Sequence, residues 1–178
     1  MQQKVSHNKH TISDLPFYGF VALVFIVFKL LYKHLGNDEL LILLKPVAYL
    51  VALFSGSTVE YSSESGYFLS SLNIIIDKSC SGFNLCLISF MIFGITVIMK
   101  VKAIKRQIIL LLSTIFFAYF LTILANTSRI ISITKMNEIF PNLNDKYEWL
   151  HVTQGSFINL FFLIGSYLLL NKWLESES

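Results

Sequence analysis

The chain has 178 residues, of which 54% are hydrophobic and 14% charged, and its formal net charge is +3. This composition excludes a soluble domain built around one core and is typical of a polytopic membrane protein. The small, dispersed charge gives no basis for nucleic-acid binding, and no metal-ligand spacing is present, so we expect neither nucleic acid nor a metal or other cofactor. Cys80 and Cys86 point in different directions on one helix, so no disulfide is expected.

The chain begins with a polar tail and one clear span. The tail covers residues 1–14, and Ser13 or Asp14 can cap a helix that has Pro16 in its first turn. Residues 17–35 then form an apolar run that is long enough to cross a bilayer. The sequence therefore predicts a first transmembrane helix directly after the tail.

A shorter apolar run and a polar segment follow. Residues 40–54 are apolar but are interrupted by Lys45-Pro46, which predicts a kinked or tilted second helix. Residues 55–79 are rich in Ser, Gly, Thr and Tyr, and Val59 and Tyr61 alternate with polar neighbours. This pattern predicts a short extracytoplasmic β-hairpin.

Three further apolar runs, 83–99, 107–125 and 152–170, predict three more spans. The first of them is followed by four basic residues and no acidic one, so the positive-inside rule makes this loop cytoplasmic. The expected fold is an all-α polytopic membrane protein with about five transmembrane helices. We expect one integral membrane domain over residues 1–178, with the core helices in residues 80–170.

The charge rule leaves the first two spans open. Five spans and a cytoplasmic C-terminus would place Lys4 and Lys9 outside. Lys29, Lys33 and Lys45 would then flank the inner face, and the charge count there would be nearly balanced. The basic loop after the third span is the stronger evidence for orientation.

Cys80 lies where the polar segment meets the third span, between Ser79 and Ser81-Gly82. We expect it in the first turn of a helix, near water, where the helix N-terminus favours the nucleophilic thiolate. With the basic loop inside, Cys80, Arg129 and His151 each lie at the outer end of a different helix.

A thiol, an imidazole and a guanidinium at one membrane face are sufficient for acyl transfer. The His151 imidazole can move the proton of Cys80, and Arg129 can hold an oxyanion or a substrate carboxylate. The backbone N–H groups of Ser81 and Gly82 are further candidate oxyanion donors. Each side chain also has a structural interpretation, as a small apolar filler, an interfacial anchor or a helix-start residue.

Three motifs together resemble the exosortase/archaeosortase family. They are Cys80-Ser-Gly82 after a β-prone segment, Asn126-Thr-Ser-Arg129 at the end of a hydrophobic helix, and His151-Val-Thr-Gln-Gly155 at the start of the last one. The resemblance covers about residues 56–170 in order, spacing and membrane placement, and the chain is similar to the short, exosortase F-like members.

The resemblance implies a membrane cysteine transpeptidase or protease in the cytoplasmic (inner) membrane, with its active site on the extracytoplasmic face. Its protein substrates would carry a C-terminal sorting tail made of a short motif, a transmembrane helix and a basic cluster. Cys80 matches the family's nucleophile, Arg129 its essential arginine and His151 its histidine, and Asn126 and Gly155 match accompanying motif positions.

Two other classes stay open. One is a non-catalytic assembly or accessory membrane protein whose outer polar cluster binds a partner or a lipid headgroup, and it predicts that Cys80 tolerates Ser or Ala. The other is a different thiol enzyme, such as a purely hydrolytic membrane peptidase or an acyltransferase, and it predicts a product without a new amide partner. A transporter is disfavoured because the spans show no internal repeat.

Overall fold

The computed structural model of the chain describes the backbone of residues 2–139 and 148–176 and the side chains of residues 14–139 and 152–176. The helices are α1 (Gln2–Leu31), α2 (Leu41–Ser55), α3 (Phe83–Lys100), α4 (Ile104–Ile139) and α5 (Glu148–Ser176). The strands are β1 (Val59–Ser62), β2 (Gly66–Leu69) and β3 (Ile74–Ile76), and a 3₁₀ turn, Lys78–Cys80, joins β3 to α3. The predicted all-α polytopic fold with a short β element before the third span is confirmed.

Four helices in the described part of the chain are long and apolar enough to cross a membrane. They contain the segments Asp14–Leu31, Lys78–Lys100, Ile104–Ile139 and Val152–Ser176. The helix α2 has 15 residues. At 1.5 Å per residue it is ~22 Å long, which is shorter than the roughly 30 Å hydrocarbon core. Of the approximately five expected spans, the second is therefore the one whose helix is too short to cross the hydrocarbon core.

Helices α1 and α3 are antiparallel neighbours. Tyr32, which directly follows α1, stacks on Phe83 at the start of α3 with the ring centroids 4.7 Å apart. Farther along the pair, a Cβ on Gly94 would lie only 3.1 Å from a methyl carbon of Val21, so the two backbones approach closely. The chain between residues 32 and 79 thus leaves and returns at one end of the bundle, and α2 adds no crossing.

This path settles at which end of the bundle two of the lysines lie. Lys29 Nζ donates to Asn84 Oδ1 over 2.6 Å, and Lys78 Nζ donates to the Lys33 carbonyl over 3.4 Å. Lys29 and Lys33 therefore lie at the end that carries Cys80, and the arrangement that places them at the opposite end is excluded. The reason is that α2 does not cross, so α1 runs in the opposite direction to the one it would have with five spans.

The first helix also begins earlier than expected. The backbone of α1 is helical from Gln2, and Pro16 lies inside the helix rather than in its first turn. The predicted cap at Ser13 or Asp14 is therefore wrong. Residues 2–15 contain neither Gly nor Pro, so nothing in the tail interrupts a helix.

A side chain of α4 compensates for the proline in α2. Pro46 has no N–H and cannot bond the carbonyl of Ile42 one turn earlier. The hydroxyl of Tyr119 donates to that carbonyl over 2.9 Å. The Ile42 carbonyl, which Pro46 leaves without a donor inside the helix, thus binds α2 to α4.

The predicted hairpin is a three-stranded antiparallel meander in the order β1-β2-β3. Asn73, with a φ of +50°, lies between β2 and β3, and β3 adds to β2 with Tyr67 opposite Ile76. Leu69 and Ile76 are buried in one cluster with Val47 and other residues of α2. The sheet therefore packs on α2, and its last strand leads into the turn that carries Cys80.

Candidate active site

Cys80 is the last residue of the 3₁₀ turn Lys78–Cys80, which is capped by an aspartate. Asp77 Oδ1 accepts from the N–H of Ser79 over 2.9 Å and from its hydroxyl over 2.6 Å. The Cys80 N–H donates to the Asp77 carbonyl over 2.9 Å. The thiol is half-buried, and Ser79 Oγ lies 3.8 Å from its Sγ. A short capped turn, rather than a long helix, thus presents the thiol.

The turn is separate from α3, although the sequence predicted Cys80 in the first turn of a helix. Gly82 has a φ of +69°, which a right-handed helix cannot contain, and α3 begins only at Phe83. Ser81 Oγ accepts from the Phe83 N–H over 3.3 Å. The Ser81 N–H is bonded to the Lys78 carbonyl over 3.1 Å, so the expected oxyanion donor at Ser81 is already engaged and that prediction fails.

Asn126 connects the turn to α4. Its side chain is almost completely buried, and its Nδ2 donates to the Cys80 carbonyl. A Cβ on Gly82 would lie 2.8 Å from Thr122 Cγ2 and 3.4 Å from Asn126 Cγ. The turn can pack this closely on α4 because Gly82 has no side chain. Two of the predicted motifs are therefore in direct contact.

Arg129 connects α4 to α5. A Cβ on Gly155, which is buried, would lie 3.0 Å from Arg129 Cδ and 3.4 Å from Arg129 Cγ. The missing side chain at Gly155 therefore leaves room for the arginine stem between the two helices. Because residues three apart are neighbours on a helix surface, Arg129 lies beside Asn126. The second and third motifs thus also meet.

The third predicted catalytic residue can be located only by its backbone. His151 belongs to α5 and precedes Gly155 by four residues, which is about 6 Å along the helix axis. Its side chain lies outside the described residues, as do residues 140–147. The backbone of His151 is thus one turn from the glycine that Arg129 contacts.

Several buried polar atoms at this end have no hydrogen-bond partner within the described part of the chain. They include Asn126 Oδ1, Arg129 Nε and Gln154 Oε1. Ser89, Thr127 and Asn159 each carry one further such atom. Since buried polar groups are normally bonded, two acceptors and a guanidinium donor in neighbouring motifs point to a place for a polar ligand. Gln154 was not singled out from the sequence, although it lies beside Gly155 in the quoted motif.

The turn is also held by residues of the segment between α1 and α2 that sequence reasoning missed. The hydroxyl of Tyr32 donates to the Lys78 carbonyl over 3.0 Å. Lys78 Nζ donates to the Leu35 carbonyl over 2.5 Å, and the Lys78 N–H donates to Asn37 Oδ1 over 2.8 Å. Asn37 and Lys78 are 41 positions apart, and no periodicity or motif in the sequence links them.

An apolar groove of about 650 Å³ runs between α4 and α5, toward the end opposite Cys80. Its lining includes Leu110, Phe117, Phe120, Leu169, Leu170 and Trp173. The side chains are apolar because this part of the two helices lies within the candidate spans. The groove is therefore an apolar surface on two helices that are long and apolar enough to cross a membrane.

No family model, no curated protein and no solved structure matches this chain. A fold alone does not determine a function. The function is therefore inferred from the residues of the site.

Proposed function

We propose that this protein is a membrane cysteine transpeptidase or protease, similar to the exosortases, that cleaves C-terminal sorting tails of exported proteins through a thioester on Cys80. The observation that carries the proposal is the pair of contacts made by α4. Asn126 bonds the Cys80 carbonyl, and Arg129 packs on Gly155. Three motifs that are distant in sequence thus converge at one end of the bundle.

These residues can carry out acyl transfer. His151 takes the proton of the Cys80 thiol, and the sulfur attacks the scissile carbonyl carbon. Arg129 and the Gly82 N–H stabilise the oxyanion. When the intermediate collapses, the C–N bond breaks, His151 returns the proton to the leaving amine, and the acyl group remains on sulfur. An amine or water then attacks the thioester carbonyl and gives a proton to His151, the C–S bond breaks, and His151 passes this proton to the Cys80 thiolate.

The unpartnered atoms fit a peptide substrate. Asn126 Oδ1 and Gln154 Oε1 are buried acceptors, and Arg129 Nε is a buried donor. A peptide backbone offers N–H donors and carbonyl acceptors at regular spacing, so it can satisfy both kinds of atom. A substrate that does so recovers the free energy that unpaired burial costs.

We assign the Cys80 end to the extracytoplasmic face of the cytoplasmic membrane. The loop after α3 is basic, which supports a cytoplasmic position by the positive-inside rule. With four spans, Lys4 and Lys9 join the basic loop on that side, whereas Lys29, Lys33 and Lys78 lie at the Cys80 end. The assignment therefore rests on the loop after α3, which has four basic residues and no acidic one. Both ends of the described chain are then cytoplasmic.

The transmembrane helix of a sorting tail would lie in the groove between α4 and α5. The groove is an apolar surface on two helices that are long and apolar enough to cross a membrane. Packing between helices in a bilayer depends on such complementary surfaces, because lipid gives no hydrophobic driving force. A tail in this groove would bring its preceding motif toward Arg129 and Cys80.

The test compares processing of candidate surface proteins in cells that carry wild-type protein, Cys80→Ala or Cys86→Ala, by mass spectrometry of their C-termini. Cys86 is partly buried deeper in α3 and serves as the matched control. Trimmed C-termini should vanish only in Cys80→Ala, and the mass left on the trimmed end separates transfer from hydrolysis. Normal trimming in an inserted Cys80→Ala protein would instead favour a non-catalytic binding role.

A further inference from the structure

Asn37 joins three segments of the chain. It lies in the loop between α1 and α2, and it is only 9% exposed. Its Nδ2 donates to the carbonyls of Ser63, over 3.1 Å, and Glu64, over 3.3 Å, in the turn between β1 and β2. Its Oδ1 accepts from the Lys78 N–H over 2.8 Å. Both ends of one carboxamide are therefore used, and its position is fixed by the loop, the sheet and the turn together.

Lys78 is the residue through which these contacts reach Cys80. It begins the 3₁₀ turn that ends at Cys80. Its ammonium donates to the Leu35 carbonyl just beyond α1 and lies 4.8 Å from the centroid of the Tyr32 ring. Both contacts favour a cation, because a carbonyl oxygen and the face of an aromatic ring are electron-rich. The backbone and the side chain of Lys78 are thus both held.

We propose that Asn37 is a positioning residue for Cys80. Asn37 holds the first residue of the turn from the α1–α2 loop, and Asn126 holds the last residue from α4. A turn clamped at both ends keeps the thiol at one place relative to Arg129, and small displacements of a reacting group are costly in rate. The catalytic consequence rests on the proposed function, but the position of the thiol can be measured without a substrate.

The variants separate the contacts of Asn37. Asn37→Ala removes the acceptor for Lys78 and both donors, whereas Asn37→Asp keeps the acceptor. Asn37→Gln displaces the carboxamide by one methylene and serves as the second loss variant if the alanine protein does not fold. Tyr61→Phe is the matched control, because the Tyr61 hydroxyl donates to Asp38 and so joins the same loop to the same sheet without contacting Lys78.

The measurement is the rate at which a water-soluble maleimide labels Cys80 and Cys86 in the purified full-length protein, read by mass spectrometry. Asn37→Ala should raise the rate at Cys80 by about tenfold, because the turn opens locally, and leave the rate at Cys86 unchanged. Asn37→Asp and Tyr61→Phe should stay within about twofold of the wild-type rate at both thiols. Trimming in cells should fall by about tenfold in the loss variants Asn37→Ala and Asn37→Gln and should stay within about twofold of wild type in Asn37→Asp and Tyr61→Phe.

Three results would overturn the proposal: wild-type labelling of Cys80 in both loss variants, an equal rise at both cysteines, or the same rise in Tyr61→Phe. The second would mean that Asn37 supports the whole fold rather than the turn. If Cys80→Ala leaves trimming intact, the proposed function fails, while the labelling rates still decide whether Asn37 positions the thiol.

Discussion

The two ends of the helix bundle differ in how their polar groups are paired. At the end opposite Cys80, Lys100 Nζ lies 2.5 Å from Glu175 Oε1, and Asn171 Nδ2 donates to the same oxygen over 3.0 Å. At the Cys80 end, Asn126 Oδ1 and Arg129 Nε are buried and have no partner in the described part of the chain. Among the described residues, the polar groups at the first end are paired with one another, whereas these two atoms at the second end are not.

This difference separates a structural helix end from a candidate site. Each buried polar atom that stays unpaired costs about 1–3 kcal/mol. The Lys100 and Glu175 side chains are partly exposed to solvent, so this cost does not arise there, and their pair joins α3 to α5. At the Cys80 end, unpaired polar atoms are buried near a half-buried thiol. Such atoms are expected where a bound ligand completes their hydrogen bonds.

The largest expected effect comes from substituting one charged residue at each end. Arg129→Lys keeps the positive charge but removes Nε and the planar fork of donors, so trimming should fall by about 100-fold. Glu175→Gln removes the charge that pairs with Lys100, and trimming should stay within about twofold because that pair only joins helices. C-terminal mass spectrometry in cells measures both. Equal effects of the two substitutions would remove the distinction between the ends.

A smaller effect is expected from two glycines of α5. A methyl group on Gly155 would lie 3.0 Å from Arg129 Cδ, so Gly155→Ala should displace the arginine and lower trimming by about tenfold. Gly165 has nothing within 4 Å of its added Cβ. Gly165→Ala should leave trimming unchanged and stabilise the helix by about 0.5–1 kcal/mol. Thermal unfolding in detergent checks the second effect, and wild-type trimming in Gly155→Ala would contradict the first.

The smallest effect concerns Tyr61 and Asp38, two polar side chains at the Cys80 end that are hydrogen-bonded to each other. The hydrogen bond to the Asp38 carboxylate raises the pKa of Tyr61 to about 12 from 10.0. Because the folded-state pKa is raised, the stabilisation is complete below the unfolded-state pKa and is lost as pH rises through about 12. Asp38→Asn should bring the pKa back toward its ordinary value.

Absorbance titration of tyrosinate measures this pKa, with Tyr61→Phe identifying the one tyrosine among eight. Trimming should be unaffected in Asp38→Asn, since this pair does not contact the turn of Cys80. An unchanged titration curve in Asp38→Asn would contradict the assigned cause. A loss of trimming would extend the site to the sheet.

Much of the fold was accessible from the sequence because its determinants are local. The apolar runs 83–99 and 152–170 predicted spans, and helices cover both. A run of apolar residues of sufficient length must be helical in a bilayer, whatever its neighbours are. The β-prone segment before Cys80 was recognised for a similar reason, because strand alternation is visible in a few residues.

Other predictions failed where the outcome depends on distant residues. The apolar run of α2 resembles a short span, but Asn37 joins the loop before it to the sheet, and Tyr119 of α4 bonds the Ile42 carbonyl in its first turn. These contacts have no signature in the residues around α2.

The sequence by itself determined the membrane class, the long helices and the three motifs around Cys80, Arg129 and His151, because hydropathy and residue type are properties of short segments. The tertiary structure decided that four helices rather than five are long enough to cross, that α1 ends beside Cys80, and that Asn126 and Asn37 hold the two ends of the turn. The physical reason is that hydrogen bonds and close packing depend on distances between atoms, and residues 41 or 46 positions apart are brought to those distances only by the folded chain.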